Sequence, residues 1–301
     1  MAFARRTRIL AFTLLALANL FWAGNWVAGR ALRDAFDPIT LNFWRWVIAV
    51  LALAPFAWFQ LRGKFAAIRR HAGLLALLAL TGVAVFQSLV YLGLRTTTAI
   101  NAVLLYASAP LFMMLCSWVI ERVSATPRQI AGILLSLVGV LVVVSHGELG
   151  ILLQLEFHAG DAWILMALPV WGIYSVLLKR CPPELDGVSL LFVISVAGLA
   201  LLAPALALQA LHAPPRWPNA SEAAALLYMG LAASVGAIIC WNRGVALVGA
   251  NAAGFTLPLM PVFGTVLAMI FLGESFRAFH AAGFATILAG ITLATSTRKK
   301  G

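Results

Sequence analysis

The sequence predicts an all-α integral membrane protein: ten transmembrane helices, arranged as two inverted five-helix repeats that form a basket around a central cavity. Three observations lead there. Of 301 residues, 63% are hydrophobic and only 10% charged, and the mean hydropathy of +0.98 lies beyond any soluble globular composition. The chain then divides into ten apolar stretches, each near the roughly 17 to 25 residues that cross about 30 Å of hydrocarbon as helix. Finally, the second half repeats the first. Trp22, Arg30, Asp37, Phe43, Pro55 and Gln60 recur 149 residues later as Trp171, Lys179, Asp186, Phe192, Pro204 and Gln209; Gly93, Ala99, Pro110, Gly132 and Gly139 recur 151 residues later as Gly244, Ala250, Pro261, Gly283 and Gly290. Five spans per copy is an odd number, so the second copy starts on the opposite face and runs inverted. Secondary transporters built this way hold substrate between the copies, near the bilayer midplane.

The predicted spans are 9–32, 38–61, 72–94, 97–120 and 128–145 in the first copy (residues 1–147), and 160–179, 188–210, 222–243, 250–272 and 279–297 in the second (160–301), with an outer linker at 148–159. The first span has a basic start and an Ala16-Leu17-Ala18 ending, features of a cleavable signal. Its Trp22 has a repeat partner in Trp171, however, so cleavage would remove one helix of a matched set. In this span Asn19, Trp22 and Trp26 lie three and four residues apart, with Asn25 adjacent, which gathers amide and indole groups on one stripe.

The second span carries Arg45, the one charge well inside a predicted helix, roughly 10 Å from its outer end at 1.5 Å per residue. Its repeat counterpart is Ile194, and an unmatched charge points to one particular task. Two readings are open: a guanidinium at the cavity or its outer mouth, holding a carboxylate or a gate, or a side chain snorkelling to headgroups between Trp44 and Trp46.

The third span offers Gln87 and Tyr91, one turn apart, and the fourth Asn101, Tyr106 and Ser108. Pro110 and its counterpart Pro261, in the ninth span, fall mid-helix in this reading, where a missing amide donor kinks the span and supplies a hinge. In the fifth and tenth spans Gly132, Gly139, Gly283 and Gly290, with Ser136 between the first two, make small faces for close helix contact. These spans read as scaffold or as a dimer interface. The sixth brings Trp163, Trp171 and Tyr174, and the eighth Trp241 and Asn242. Trp163, three residues into its span, suits an interfacial belt as well as a cavity wall, and each asparagine serves equally as interhelical glue.

The net charge of +11 follows membrane topology and implies no nucleic acid. With the N-terminus inside, fifteen of the 21 lysines and arginines fall at cytoplasmic ends and loops, five (Arg30, Arg33, Arg95, Arg216 and Arg277) on the other face, and Arg45 in a span. The bias assigns both termini to the cytoplasm. Cys116, Cys181 and Cys240, odd in number, are expected to be free thiols. All ten acids and all five histidines fall at or near span ends or in loops. A proton-coupled carrier usually buries such a group, so the sequence predicts uniport down the solute gradient. It shows no nucleotide-binding glycine loop, no metal site, no cofactor and no catalytic constellation within the bilayer that would make an enzyme.

Two five-helix copies, each with proline in its fourth helix, a glutamate shortly after it (Glu121, Glu274) and paired glycines in its fifth, resemble the EamA-type drug/metabolite transporter superfamily. Within it, Asn19-Leu-Phe-Trp-Ala-Gly-Asn-Trp26 and Phe86-Gln-Ser-Leu-Val-Tyr91-Leu-Gly-Leu are similar to bacterial exporters of aromatic amino acids. The resemblance implies a ten-helix basket in the bacterial inner membrane, with helices 1, 3, 4, 6, 8 and 9 around the cavity and 5 and 10 at the periphery. It implies export of amino acids and related metabolites. The expected substrate site combines Trp22, Trp26, Tyr91, Trp163, Trp171 and Tyr174 as walls with Asn25, Gln87, Asn101 and Asn242 as hydrogen-bonding groups. The expected partners are a small amphipathic solute such as an amino acid and the lipid bilayer, with no obligatory protein partner. Alternatives from the sequence are efflux of amphipathic drugs or purine-type metabolites, possibly proton-coupled, and, from another class, an intramembrane enzyme or a channel.

Overall fold

Helix starts are set by short polar residues placed where backbone amides would otherwise lack acceptors. A computed structural model describes residues 2–122, 126–148, 158–185, 187–212, 217–248, 256–257 and 259–295. Asp37 caps α2 (Pro38–Gln60) by accepting from the Ile39 amide, with Pro38 in the first turn where no amide donor is needed. Thr98 caps the first half of α4 (Ala99–Tyr106, then Ala109–Glu121). Thr126 with Gln129 opens α5 (Pro127–Val144), and Asn219 with Glu222 opens α8 (Ala220–Val248), each as a reciprocal capping box. The other long helices are α1 (Ala2–Ala31), α3 (Ala72–Gly93), α6 (Ala159–Leu178), α7 (Gly187–His212), α9 (Leu259–Leu272) and α10 (Ala278–Thr295). A short helix, Phe65–Arg70, precedes α3.

Six of these helices (α1, α2, α3, α6, α7 and α8) are long and apolar enough to cross a membrane by themselves. The bent α4 makes a seventh, and α5, α9 and α10 are shorter apolar helices. Apolar helices therefore stand at all ten predicted positions. The expected linker lies mostly outside the described residues, as do Asp186, the start of the ninth predicted span and the basic C-terminal end.

Two departures from the expected helices matter. The prolines do not sit mid-helix. α4 bends by 43° between its halves, and Pro110 lies in the first turn of the second half, where its missing N–H costs nothing. Pro261 is likewise the third residue of α9. In addition, α3 and α8 each contain a π-helical stretch, Ala79–Val85 and Tyr228–Gly236, at matched places in the two copies. Carbonyls loosened by the wider turn are taken by side chains. Asn42 Nδ2 donates to Val83 O at 2.8 Å and to Ala84 O at 3.3 Å, and Ser234 Oγ donates to Met229 O at 2.8 Å.

The glycine faces of α5 and α10 meet each other. A methyl group added at Gly139 would stand 2.7 Å from Gly283 O, and one at Gly290 would stand 2.5 Å from Gly132 O. Gly132 thus faces Gly290 and Gly139 faces Gly283, so the helices run antiparallel. Ser136 Oγ donates across the contact to Ile287 O at 3.0 Å. A similar exchange occurs elsewhere. Gly93 packs on Gly160 O and Ile164, while Gly244 packs on Ala11 O and Leu15; Ala11 and Leu15 are the residues 149 places before Gly160 and Ile164. The larger hydrophobic cluster draws buried residues from every long helix except α7, and the smaller joins α2, α3 and α7.

Candidate functional site

Five aromatic rings form a continuous series through the middle of the bundle. Trp26 on α1 meets Tyr106 on α4 at 5.1 Å between ring centroids, Tyr106 meets Phe86 on α3 at 6.3 Å, Phe86 meets Trp171 on α6 at 4.9 Å, and Trp171 stacks on Tyr174 at 5.1 Å. Trp22 pairs separately with Trp241 on α8 at 5.5 Å. Such contacts follow from aromatics spaced three and four apart on helices whose small residues permit close approach; Tyr174 lies directly over Gly82, for example. The sequence stripes on α1 and α6 are therefore brought together. Phe86, which links them, was quoted in the sequence only as part of a motif.

A polar chain runs beside these rings. Tyr91 Oη donates to Asn25 Oδ1 at 2.9 Å, Arg45 donates from NH1 to Tyr91 Oη at 3.4 Å, and Arg45 Nε donates to Ser234 Oγ at 2.8 Å. The guanidinium also lies 4.9 Å from the Trp46 ring centroid. Arg45 is only 5% exposed, which excludes snorkelling in this structure. Of its aromatic neighbours, Trp44 faces outward and Trp46 is buried. No described carboxylate pairs with Arg45. On the turn of α3 below Tyr91, Gln87 is buried with an Nε2 that makes no hydrogen bond of normal geometry among the described residues. Isolated buried cations and amide donors are costly, so both are suited to an anionic oxygen from elsewhere. Ser234 escaped sequence reading because nothing in the sequence marks a π turn.

Three other expected residues stand apart. Trp163 is half-buried and makes none of the ring contacts above. Asn242 is exposed, with its amide beside Gly187 at the start of α7. Asn101 is buried, but its partners belong to a second group, at the end of the bundle predicted to be outer. There His280 Nε2 meets Asn101 Oδ1 at 2.9 Å, and Asn101 Nδ2 meets His146 Nε2 at 3.4 Å. Thr97 Oγ1 donates to Asp161 Oδ1. Nearness to a span end did not mean exposure: Asp161 is fully buried and His280 nearly so. Both do lie near span ends, as expected, yet they are buried there, because α6 and α10 begin beneath the α3–α4 and α5 turns. A pocket of about 510 Å³ opens over this group, lined by Thr97, Asn101, His146, His158, Glu274 and His280 among others.

The same end is tied together by Glu274, which accepts from the amides of Ala99 and Ile100 at 2.8 and 2.9 Å. Arg30 lies 4.0 Å from Glu274 and donates to Leu94 O at 2.7 Å. At the other end the repeat-equivalent residues also pair: Lys179 lies 3.3 Å from Glu121, which accepts from Ser117.

Ten apolar helices around a polar, aromatic-walled centre, with paired charges at either end, define a multi-pass membrane protein of the transporter kind. The chain belongs to the EamA-like transporter family, whose model matches residues 9–145 and again 158–296. An uncharacterized transporter of Archaeoglobus fulgidus is 31% identical over 94% of this chain and 96% of its own. A probable terminal-alkyne amino-acid exporter of Streptantibioticus cattleyicolor is 29% identical over 93% and 91%. An S-adenosylmethionine/S-adenosylhomocysteine transporter of Chlamydia muridarum is 23% identical over 89% and 86%. A solved crystal structure, 20% identical, shares the fold with a TM-score of 0.60 over 97% of this chain and 96% of its own. The family makes the chain a transporter and not an enzyme.

Proposed function

We propose that the protein exports amino acids, aromatic and other neutral ones above all, from the bacterial cytoplasm across the inner membrane by alternating access, with both termini cytoplasmic. The observation that carries this is Arg45: a buried guanidinium with no carboxylate partner among the described residues, beside Gln87, whose Nε2 makes no hydrogen bond of normal geometry, and the aromatic series. A substrate carboxylate would neutralise Arg45 and accept from Gln87 Nε2, and an apolar side chain would lie against Trp171 and Tyr174, the half-buried end of the series. Trp22, Asn25, Trp26 and Tyr91 shape the same chamber. Trp163, Asn101 and Asn242 contribute at its mouths, and the turns at Pro110 and Pro261 act as hinges.

The antiparallel α5–α10 contact and the exchanged Gly93 and Gly244 contacts support an inverted pair of repeats. We infer uniport for the chamber itself: the described partners of Arg45 are a serine, a tyrosine and a tryptophan, and the buried Asp161 and His280 belong to the separate group at the Glu274 end. The amino-acid exporter among the relatives supports the substrate class. A second reading, a purine-bearing metabolite, is favoured by the S-adenosylmethionine transporter among them, since the stacked Trp171 and Tyr174 rings suit a flat heterocycle.

Counterflow in proteoliposomes over a panel of neutral amino acids, S-adenosylmethionine and purines separates the two readings. Arg45→Leu is expected to lower counterflow of the preferred amino acid more than tenfold, the loss of about 1.4 kcal/mol or more of substrate binding. Undiminished flux by a correctly inserted variant would remove the carboxylate role. A steep response to an imposed pH gradient at fixed solute would overturn uniport.

A further inference from the structure

The histidine group at the Glu274 end is not needed for the chamber at Arg45, and its chemistry is different. We propose that His146, His158 and Asp161 form a binding site for a divalent transition-metal ion, with zinc as its natural probe. The ligand atoms of the three residues lie within 4.8 Å of one another. They come from the end of α5, the residue preceding α6 and the first turn of α6, so an ion there would bridge the two halves of the chain. Asp161 is fully buried. Thr97 donates to Oδ1 and the Asn101 amide approaches the carboxylate, yet Oδ2 is enclosed and has no hydrogen bond of normal geometry among the described residues. A buried carboxylate oxygen is not left unsatisfied without a reason, and no lysine or arginine pairs with this one among the described residues.

The donor set also fits. Two imidazoles and one carboxylate are a common zinc complement, with water in the fourth position. In a tetrahedral site with bonds near 2.0–2.1 Å, ligand atoms stand roughly 3.3 Å apart, so the rings need to close by about 1.5 Å. The surroundings allow this. His158 is exposed, and the only hydrogen bond described for His146 Nε2 is the long one to Asn101; the His146 ring also packs 5.2 Å from the His158 and Phe279 rings, so the two imidazoles would shift together. The residues behind are arranged as outer supports. Thr97 orients the carboxylate, and Asn101 is fixed by His280. His280 itself is spent, since its Nδ1 accepts from the Arg277 amide and its Nε2 faces Asn101 Oδ1. The pocket above gives access; Glu148 lies in its lining, Glu274 is paired with Arg30, and Arg277 adds a positive charge, so the attraction for a cation comes from the Asp161 carboxylate itself.

The test is calorimetric titration of the purified full-length protein with Zn²⁺ in chelator-free detergent buffer, independent of any transport assay. The expected result is one ion per chain in the micromolar range or tighter, a raised melting temperature on binding, and affinity weakened at least about tenfold in His158→Ala and in His146→Ala. His158 is exposed, so its replacement leaves the helical bundle intact. Absence of saturable Zn²⁺ binding by the wild-type chain, or equal affinity in the His146→Ala/His158→Ala double variant, would overturn the site.

Discussion

The two ends of the bundle carry equivalent residues in unequal surroundings. Arg30 and Glu274 at one end correspond to Lys179 and Glu121 at the other. The first pair is about 15% and 11% exposed, and its glutamate also closes the start of α4 by taking two backbone amides. The second is 63% and 26% exposed, and among the described residues the other hydrogen bond to its glutamate comes from a serine. The helix contacts differ in the same sense. A methyl group at Gly93 would stand 2.8 Å from the Gly160 carbonyl, whereas one at Gly244 would stand 3.3 Å from the Ala11 carbonyl. One end brings two backbones together on a glycine pair, whereas at the other an alanine sets the backbones further apart and the Leu15 side chain fills the space, 2.6 Å from a methyl group at Gly244. The same charged pair therefore does different work according to how closely the helices beneath it approach. In the proposed cycle, this is one stage of an alternation in which the ends trade places.

Several substitutions would sharpen the contrast. The largest effect is expected from Gly160→Ala, whose new methyl would lie 2.3 Å from Gly93 O and 2.5 Å from the Thr97 amide nitrogen. Backbone cannot yield as a side chain can, and overpacking of this kind costs about 1–3 kcal/mol or more. A lowered apparent melting temperature, together with increased labelling of the Glu274 end by impermeant reagents, is the expected outcome; unchanged values would show that the tight end is not under compression. Next comes Glu274→Gln. Losing the charge behind two amide hydrogen bonds and Arg30 should cost about 1.5–3 kcal/mol, read as a fall of several degrees. Glu121→Gln, at the exposed pair, should shift melting least. Equal shifts for the two glutamates would erase the difference between the ends.

Much of the fold was written plainly in the sequence. Ten apolar stretches placed the helices, matched prolines, glycines and one tryptophan pair showed the repeat, and α5 and α10 met through the four glycines that suggested close contact. Arg45 was visible because a lone charge inside an apolar span stands out. Its partner Ser234 was not, because the π turn that presents it has no residue signature. The burial of Asp161 and His280 was hidden for a related reason: position near a helix end gives depth along the axis but says nothing of what packs over it. Asn101 illustrates the same limit, since a residue expected at the cavity has its hydrogen-bonding partners in the histidine group. Pro110 looked like an interior kink only because the two halves of α4 read as one apolar run.

Alternating closure of the two ends is tested most directly by reversible cross-linking. In a background with Cys116, Cys181 and Cys240 replaced by serine, a reducible bis-thiosulfonate reagent links Arg30→Cys to Glu274→Cys, or Lys179→Cys to Glu121→Cys, because side chains that meet at their tips leave the β-carbons too far apart for a direct disulfide. Each cross-link is expected to arrest counterflow, and reduction to restore it. Full counterflow with either end locked shut would contradict the account.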